Sequence, residues 1–410
     1  MKKHILKHKK FYIIISSFLV TLTFLYSFLI FSSNPFITKW RTIYIETAMT
    51  TNTHQWLATA FIPKHIIDNV MADREIQQNL QESLESKWDN VDNVVEKEEL
   101  LIDNEIKEEF SEGIIIPEKT EEELFYEKYW ELNCDSFKNY IKDNPSITEN
   151  GFNNIEIDNL NEKINLKTVN NDLIIALDTF NNTMIVKVTG DGYVGRLAIV
   201  KNTNQVSIES ASTLGQKGET GSTFSQRYDA QLVINASGFK DNGGSGNGGI
   251  VKGSYVIDGI EYGKQENKHW KFVGLKQDDK LYISNRKDTD ITNYKWGIEF
   301  YPALIVDGEN VVDGSYCMGI QPRTALGQSK NGDLMILVVD GRQLGYSLGC
   351  TVADCRDVLF KYEAYQAMNL DGGSSSIMYY KGKLINKPSS VGGVGRYMPN
   401  ALVVKKINNL

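Results

Sequence analysis

Histidine is scarce: there are five in 410 residues, and His4, His8, His54 and His65 come early, leaving His269 alone in the rest. A Ser–His–Asp or Cys–His mechanism needs an imidazole beside its nucleophile, so the later part of the chain argues against both. Glycine is missing from the front. Only Gly113 of 33 precedes residue 151, which reads residues 1–150 as helical or extended and the remainder as turn-rich and β-rich. Cysteine is too sparse for a disulfide scaffold. Cys134, Cys317, Cys350 and Cys355 permit bridges outside the cytoplasm, and Cys350 and Cys355 either pair or stand as two thiols near a helix start. Neither their spacing nor the histidines form a zinc pattern. A basic stripe is lacking too. The formal charge is −8, and residues 71–130 hold 19 Asp and Glu against 6 Lys and Arg, a local −13 that leaves +5 elsewhere. No nucleic-acid partner is expected. With 41% apolar and 10% aromatic residues, collagenous and largely disordered chains are excluded.

What is present begins with an apolar run. Phe11 to Phe31 is uncharged and long enough to cross a bilayer as a helix, and Lys2, Lys3, Lys7, Lys9 and Lys10 precede it with no acidic residue before Glu46. This predicts a cytoplasmic tail (1–10), a transmembrane helix (11–31) and an extracellular remainder on a single-pass cell-membrane protein. A cleaved signal peptide is the alternative, but the run exceeds the usual apolar core of such peptides and no A-x-A-like site follows. Residues 32–164 read as an acidic helical stalk or linker. Within them, 57–142 read as successive helices, with Val91, Val94, Val95, Leu101, Ile102, Ile106 and Phe110 near helical spacing. Pro117 and the capping-box pattern Thr120-x-x-Glu123 open a further helix through Leu124, Phe125 and Trp130, and Asp143-Asn144-Pro145 stops the series. No sustained heptad supports a coiled coil.

Short β-type runs then appear: Leu173–Leu177, Met184–Val188, Leu197–Val200, Leu232–Asn235, Ala303–Val306 and Leu334–Val339. One helix, Ala353 to Ala367, interrupts them, with Thr351 and Asp354 at its N-cap and N3 positions. The expected fold is α+β: a strand-rich domain over residues 165–408 with stacked sheets and flanking helices.

Three glycine-rich constellations stand beside these runs. The first is Asn235-Ala236-Ser237-Gly238-Phe239 with Gly243 to Gly249. Its formal G-x-G-x-x-G (Gly244, Gly246, Gly249) precedes a strand-like run, Ile250 to Ile257, whereas a dinucleotide fingerprint opens a helix. It reads as a hairpin, or as a loop that lets a polar ligand approach the backbone. The second is Pro322 to Gly327, then Asp340-Gly341-Arg342, then Ser347 to Thr351. A helix N-terminus is a natural anion site, and Arg323 and Arg342 offer bidentate donors to the same anion, although a turn, a cap and two surface arginines would look alike. The third is Asn369-Leu370-Asp371-Gly372-Gly373-Ser374-Ser375-Ser376, a carboxylate on a tight turn among hydroxyls. Arg396 and Pro399-Asn400 complete the set.

Taken in order, these motifs resemble the phosphodiester glycosidase family over about residues 170–406. The resemblance implies a hydrolase that cleaves between a sugar's anomeric carbon and a phosphodiester, of the N-acetylglucosamine-1-phosphodiester type. In bacterial relatives the setting is exopolysaccharide or cell-envelope metabolism. A phosphate ester leaves as a stable anion, so donors that stabilise negative charge matter more than a pair of carboxylic acids. The implied catalytic residues are Asp371, which activates water or stabilises positive charge, Asp340 as alternate or orienting carboxylate, Arg323 and Thr324. The implied substrate-binding residues are Asn235, Gly238, Arg342, Ser347, Thr351, Gly372, Gly373, Ser374 and Arg396. The resemblance assigns no definite cofactor, and a single divalent cation such as calcium is compatible. The expected partners are a glycan or sugar-phosphodiester and, through residues 11–31, the membrane. Ala236, Ser237 and the single Phe239 depart from the family's second glycine and double aromatic, which bears on the shape of the sugar pocket. Two alternatives use the same residues: a non-catalytic binder of anionic envelope glycopolymers, and a metal-dependent phosphoesterase with Asp340 and Asp371 as ligands.

Overall fold

The structure, a computed structural model, describes residues 2–51, 54–88, 118–241, 245–265 and 269–407. Val91 to Phe110, Pro117, Gly243 and Gly244 lie outside them. Two compact units form, Met1–Glu75 with Cys317–Gly319 and Ile76–Tyr316 with Ile320–Leu410.

In the first unit the helix Lys2–Phe31 contains a segment, Lys10–Phe31, long and apolar enough to cross a membrane, with a mean hydropathy of 2.3. It fits a single-pass anchor or a signal sequence. The next helix, Pro35–Met49, starts with Pro35 at a position where its missing N–H costs nothing, and Asn34 caps it by accepting from Phe36 N and Ile37 N. Arg41 reaches back from this helix. Its Nη1 donates to Leu29 O, Ile30 O and Ser32 O at 3.3, 2.7 and 3.0 Å, satisfying carbonyls that the end of the first helix leaves open.

The second unit is built on three sheets, antiparallel in every described pairing. The largest has nine strands in the order Glu156–Asp158, Leu173–Asp178, Thr183–Gly190, Tyr193–Val200, Leu334–Val339, Arg323–Ser329, Ala364–Leu370, Ala303–Val306 and Glu309–Asn310. A five-stranded sheet runs Leu281–Ser284, Lys271–Lys276, Tyr294–Phe300, Gly253–Ile257 and Ile260–Lys264, and another Lys383–Leu384, Met378–Tyr380, Ala230–Asn235, Asn400–Lys405 and Val206–Ser210. One apolar core joins all three. Ile185 and Ile336 enter it from the first sheet, Val273 and Ile298 from the second, Leu232 and Ile234 from the third. Val233, between the last two, points the other way and packs with Phe224 of the helix Gly221–Arg227. A strand buried on both faces therefore reads as an unbroken apolar run. The fold is α+β, with stacked sheets and flanking helices, as expected.

Two boundaries differ from the sequence expectation. The sheet begins before residue 165, because Glu156–Asp158 pairs with Leu173–Asp178 and Leu132 bridges to Thr168. The helices Glu121–Lys128, with its Thr120/Glu123 capping box, and Cys134–Asp143 bury Phe125 and Phe137 against each other, their rings 5.1 Å apart. Glu131 beside them is buried and bonds Lys201 Nζ at 2.6 Å, which also reaches Asp333 at 2.7 Å. This part of the expected stalk is a layer of the folded unit. The helix expected over Ala353 to Ala367 spans only Val352–Lys361. Glu363 adopts φ +65°, which ends the helical path, and Ala364–Leu370 enters the middle of the sheet.

Candidate active site

Antiparallel pairing brings the second and third constellations together. Arg323 starts the strand Arg323–Ser329 opposite Val339, and Thr324 lies opposite Leu370 on the other side. Asp340 and Asp371 each follow directly on those partners, so Arg323, Thr324 and both aspartates emerge at one edge of the large sheet. Asn235 supplies the first constellation. At the end of its strand in the third sheet, it accepts at Oδ1 from Thr324 Oγ1 (2.9 Å) and Ile377 N (3.2 Å) and donates from Nδ2 to Asp371 O (2.5 Å). Asn235 and Thr324 thus hold the Asp371 turn in place rather than facing solvent.

Asp371 is half-buried, and burial of its carboxyl group pushes its pKa up to about 6, opposed by a Ser375 hydroxyl hydrogen bond, the positive Arg396 nearby and the Gly372 N–H. A side chain on Gly238 would put its Cβ 3.9 Å from Asp371 Oδ1 and 3.3 Å from Phe300. A Cβ there would make ordinary contact with the carboxylate and press on the Phe300 ring. Phe300 belongs to an aromatic wall with Trp270 and Tyr301, ring centroids 5.1–5.3 Å apart. Arg396 pins the glycine loop. It bonds Asp241 Oδ2 at 2.6 Å and Gly246 O at 2.9 Å and lies 4.6 Å from the Phe239 ring.

The two other arginines sit side by side. Arg323 is buried and donates from Nε to Cys350 O at 3.2 Å. Arg342, although exposed as a residue, donates from Nε and Nη2 to Gln321 Oε1 at 3.2 and 2.6 Å. Its guanidinium rests on Gly373, where an added Cβ would come within 3.2 Å of Nη2. Gly373 has φ +63° and Arg342 φ +60°, so the approach uses left-handed backbone on both sides. Burial lowers the proton affinity of both, and the charge of Arg323 lowers Arg342 further. Two cations repelling each other at a sheet edge, beside a carboxylate turn, favour the arrival of an anion.

Other expected site residues take different roles. Asp340 is buried and its oxygens are engaged: Oδ1 accepts from Asn386 Nδ2 (2.9 Å) and Lys387 N (2.8 Å), Oδ2 from the Tyr346 hydroxyl (2.9 Å). Burial raises its pKa against those bonds. Ser347 is buried in the same turn, donating to Asp340 O at 2.6 Å and accepting from Val194 N at 3.1 Å. It shapes a loop and does not present its hydroxyl to a ligand. The helix start after Thr351 is also occupied. Asp354 Oδ2 accepts from Thr351 N, Thr351 Oγ1 accepts from Asp354 N, and Ala353 N donates to Gly314 O. A carboxylate already engages this N-terminus, so it offers fewer unpartnered N–H groups than the sequence reading supposed. Gly372 and Gly373 form the turn after Asp371, and Ser374 is half-buried beside them.

Gln321, Ser375, Asn386 and Tyr346 were not singled out in the sequence. Each is a lone polar residue whose role depends on a partner distant in the chain, or hidden in a serine run. Among the described residues no cluster of three or more His, Cys, Asp or Glu side chains could hold a metal ion. Asp340, named as a ligand for such an ion, has its oxygens committed to protein donors.

Residues 228–405 match the family model described as phosphodiester glycosidase, which shows the resemblance read from the motifs. The chain is 28% identical over 200 residues to the SPbeta prophage-derived uncharacterized protein YomE of Bacillus subtilis (strain 168), a match spanning 45% of this chain and 29% of that protein. Among solved structures, the zebrafish N-acetylglucosamine-1-phosphodiester alpha-N-acetylglucosaminidase catalytic domain, auto-inhibited by its pro-peptide, is similar at 20% identity and TM-score 0.44, over 55% of this chain and 82% of that one. A hypothetical protein from Synechocystis is similar at 15% identity and TM-score 0.38, over 54% and 62%.

Proposed function

From a chain whose residues 228–405 match the phosphodiester glycosidase family, we propose a membrane-anchored, extracytoplasmic hydrolase of sugar-1-phosphodiesters. Its substrates are of the N-acetylglucosamine-1-phosphodiester type, carried on cell-envelope or exopolysaccharide glycans. The observation that carries this reading is the pairing of Arg323 and Arg342 at the sheet edge from which Asp371 emerges.

The division of labour follows from charge. Cleavage of the bond from the anomeric carbon to phosphate oxygen leaves negative charge on the departing phosphomonoester and positive charge on the sugar. The two guanidinium groups stabilise the first, with no reorganisation since Gln321 and Cys350 O already orient them. Ionised Asp371 stabilises the second, or takes a proton from the attacking water. Asn235 fixes the height of the Asp371 turn, and the bare backbone of Gly238 leaves room for the sugar against the Phe300 wall.

The test is direct. The full chain in detergent, incubated with an N-acetylglucosamine-1-phosphodiester, should release free sugar and a phosphomonoester, and a parallel chelator-treated sample should keep that activity. Binding without turnover would replace the hydrolase by a glycopolymer-binding protein. Turnover abolished by chelator and restored by calcium would point to the metal-dependent alternative.

A further inference from the structure

Cys350 and Cys355 flank the start of the Val352–Lys361 helix. With Thr351 as N-cap, Cys350 stands just outside the helix and Cys355 at its fourth position, two places whose side chains commonly meet across a helix start. Both are buried and their Sγ atoms lie 3.4 Å apart. Cys350 is also a backbone node of the site. Its N–H donates to Gln321 O, and its carbonyl accepts from Gln321 N and from Arg323 Nε. Gln321 in turn holds Arg342. A single residue thus connects the helix start to both arginines.

We propose that Cys350 and Cys355 form a disulfide that locks the segment orienting Arg323 and Arg342. Outside the cytoplasm the compartment permits it. The two thiols lose two protons and two electrons as the Sγ–Sγ bond forms, and an oxidised thiol–disulfide oxidoreductase accepts both, its own disulfide becoming a dithiol. Burial pushes the Cys350 thiol well above its ordinary range. Thiolate is therefore scarce once the helix has packed, and the bond forms during folding, before the pair is sealed. Cys134 and Cys317 stay as thiols. The locking role rests on the phosphate-binding reading of the arginines, whereas the bond itself does not. Coupling between the two is reciprocal: a bond that tightens phosphate binding is itself protected by phosphate.

The bond is tested on the full chain, produced in the membrane of an oxidising-compartment host, alkylated in denaturant without reductant and cleaved after Lys and Arg. The peptide Gln343–Arg356 carries both cysteines. It should be recovered unalkylated and lighter by two hydrogens than its dithiol form, while the Cys134 and Cys317 peptides are alkylated. Alkylation of both Cys350 and Cys355 before reduction overturns the proposal, whatever the protein hydrolyses. The coupling is read with inorganic phosphate. Reduction of the wild type, or Cys355→Ala, should weaken its binding about fivefold, the lower end of energetic coupling between sites. Saturating phosphate should then make the midpoint potential of the pair more negative by about 20 mV, the same factor for a two-electron couple. An oxidised pair with unchanged phosphate affinity overturns the locking role. A protein that binds no phosphate in either redox state counts instead against the phosphate reading.

Discussion

Asp340 and Asp371 leave the same edge of one sheet, and burial raises the pKa of both. Their surroundings then separate them. Protein donors occupy both oxygens of Asp340, so its work is to hold the turns at Tyr346 and at Asn386 and Lys387. Asp371 has a hydroxyl from Ser375, the Gly372 N–H and the bare backbone of Gly238 beside it. Asp371→Asn should lower turnover by about 10²–10³-fold, the usual loss of a group that stabilises transition-state charge. Its thermal midpoint at pH 8 should rise. The sign follows from the raised pKa: the folded carboxyl holds its proton up to about 6 and the unfolded one only to 3.8, so ionisation across that window weakens the fold, and Asn removes the charge. For the wild type, log kcat/KM should climb with pH and level off above about 6, since the ionised carboxylate does the work. A profile falling through that pH would make Asp371 an acid instead. Asp340→Ala should behave differently, costing about 2–3 kcal/mol in denaturant unfolding by orphaning buried donors.

At the scale of elements, legibility depended on whether the determining signal was local. Ala303–Val306 and Leu334–Val339 were readable to the residue, because Pro302 and Asp307-Gly308 bound one run and Asp333 and Asp340-Gly341 the other. The capping boxes at Thr120 and Thr351 were readable for the same reason. Ala364–Leu370 was not: every residue in it is buried, so no period of two distinguishes it from a continuing helix. Ser347 looked like a ligand donor because its internal acceptor, Asp340 O, is chosen by the folded loop. The layer formed by residues 118–164 was hidden by acidic composition. Residues 76–88 are tied to the sheets as well: Gln81 bonds both Ala303 N and Ala303 O, and buried Trp88 packs 4.8 Å from Tyr365. A fragment starting at Ile76 should therefore unfold in one cooperative transition, measured by circular dichroism. One starting at residue 165 should be destabilised by at least about 3–5 kcal/mol, the loss expected for the Trp88 side chain alone. Equal stability of the two would return those segments to the role of a spacer.

For the whole molecule the decisive asymmetry is that of charge around the apolar helix. Five lysines crowd the ten residues before it, and only Lys39 and Arg41 follow within its near flank. Arg41 is not a free charge there, since its guanidinium caps the carbonyls of Leu29, Ile30 and Ser32 at the helix end. By the positive-inside rule this bias predicts a cytoplasmic N-terminus and export of everything after Phe31, including residues 228–405, which match the glycosidase family. Protease added to intact cells should destroy an epitope placed at the C-terminus while leaving one at the N-terminus inside the cell, and detergent should expose both. Replacing Lys2, Lys3, Lys7, Lys9 and Lys10 with Gln should scramble that orientation, whereas Arg41→Gln should leave it intact and only loosen the join to the second helix. A mature chain that begins beyond Phe31 in N-terminal sequencing would make the helix a signal peptide and the protein a secreted one. Survival of the C-terminal epitope on intact cells would turn the topology round and remove the domain from its proposed envelope substrates.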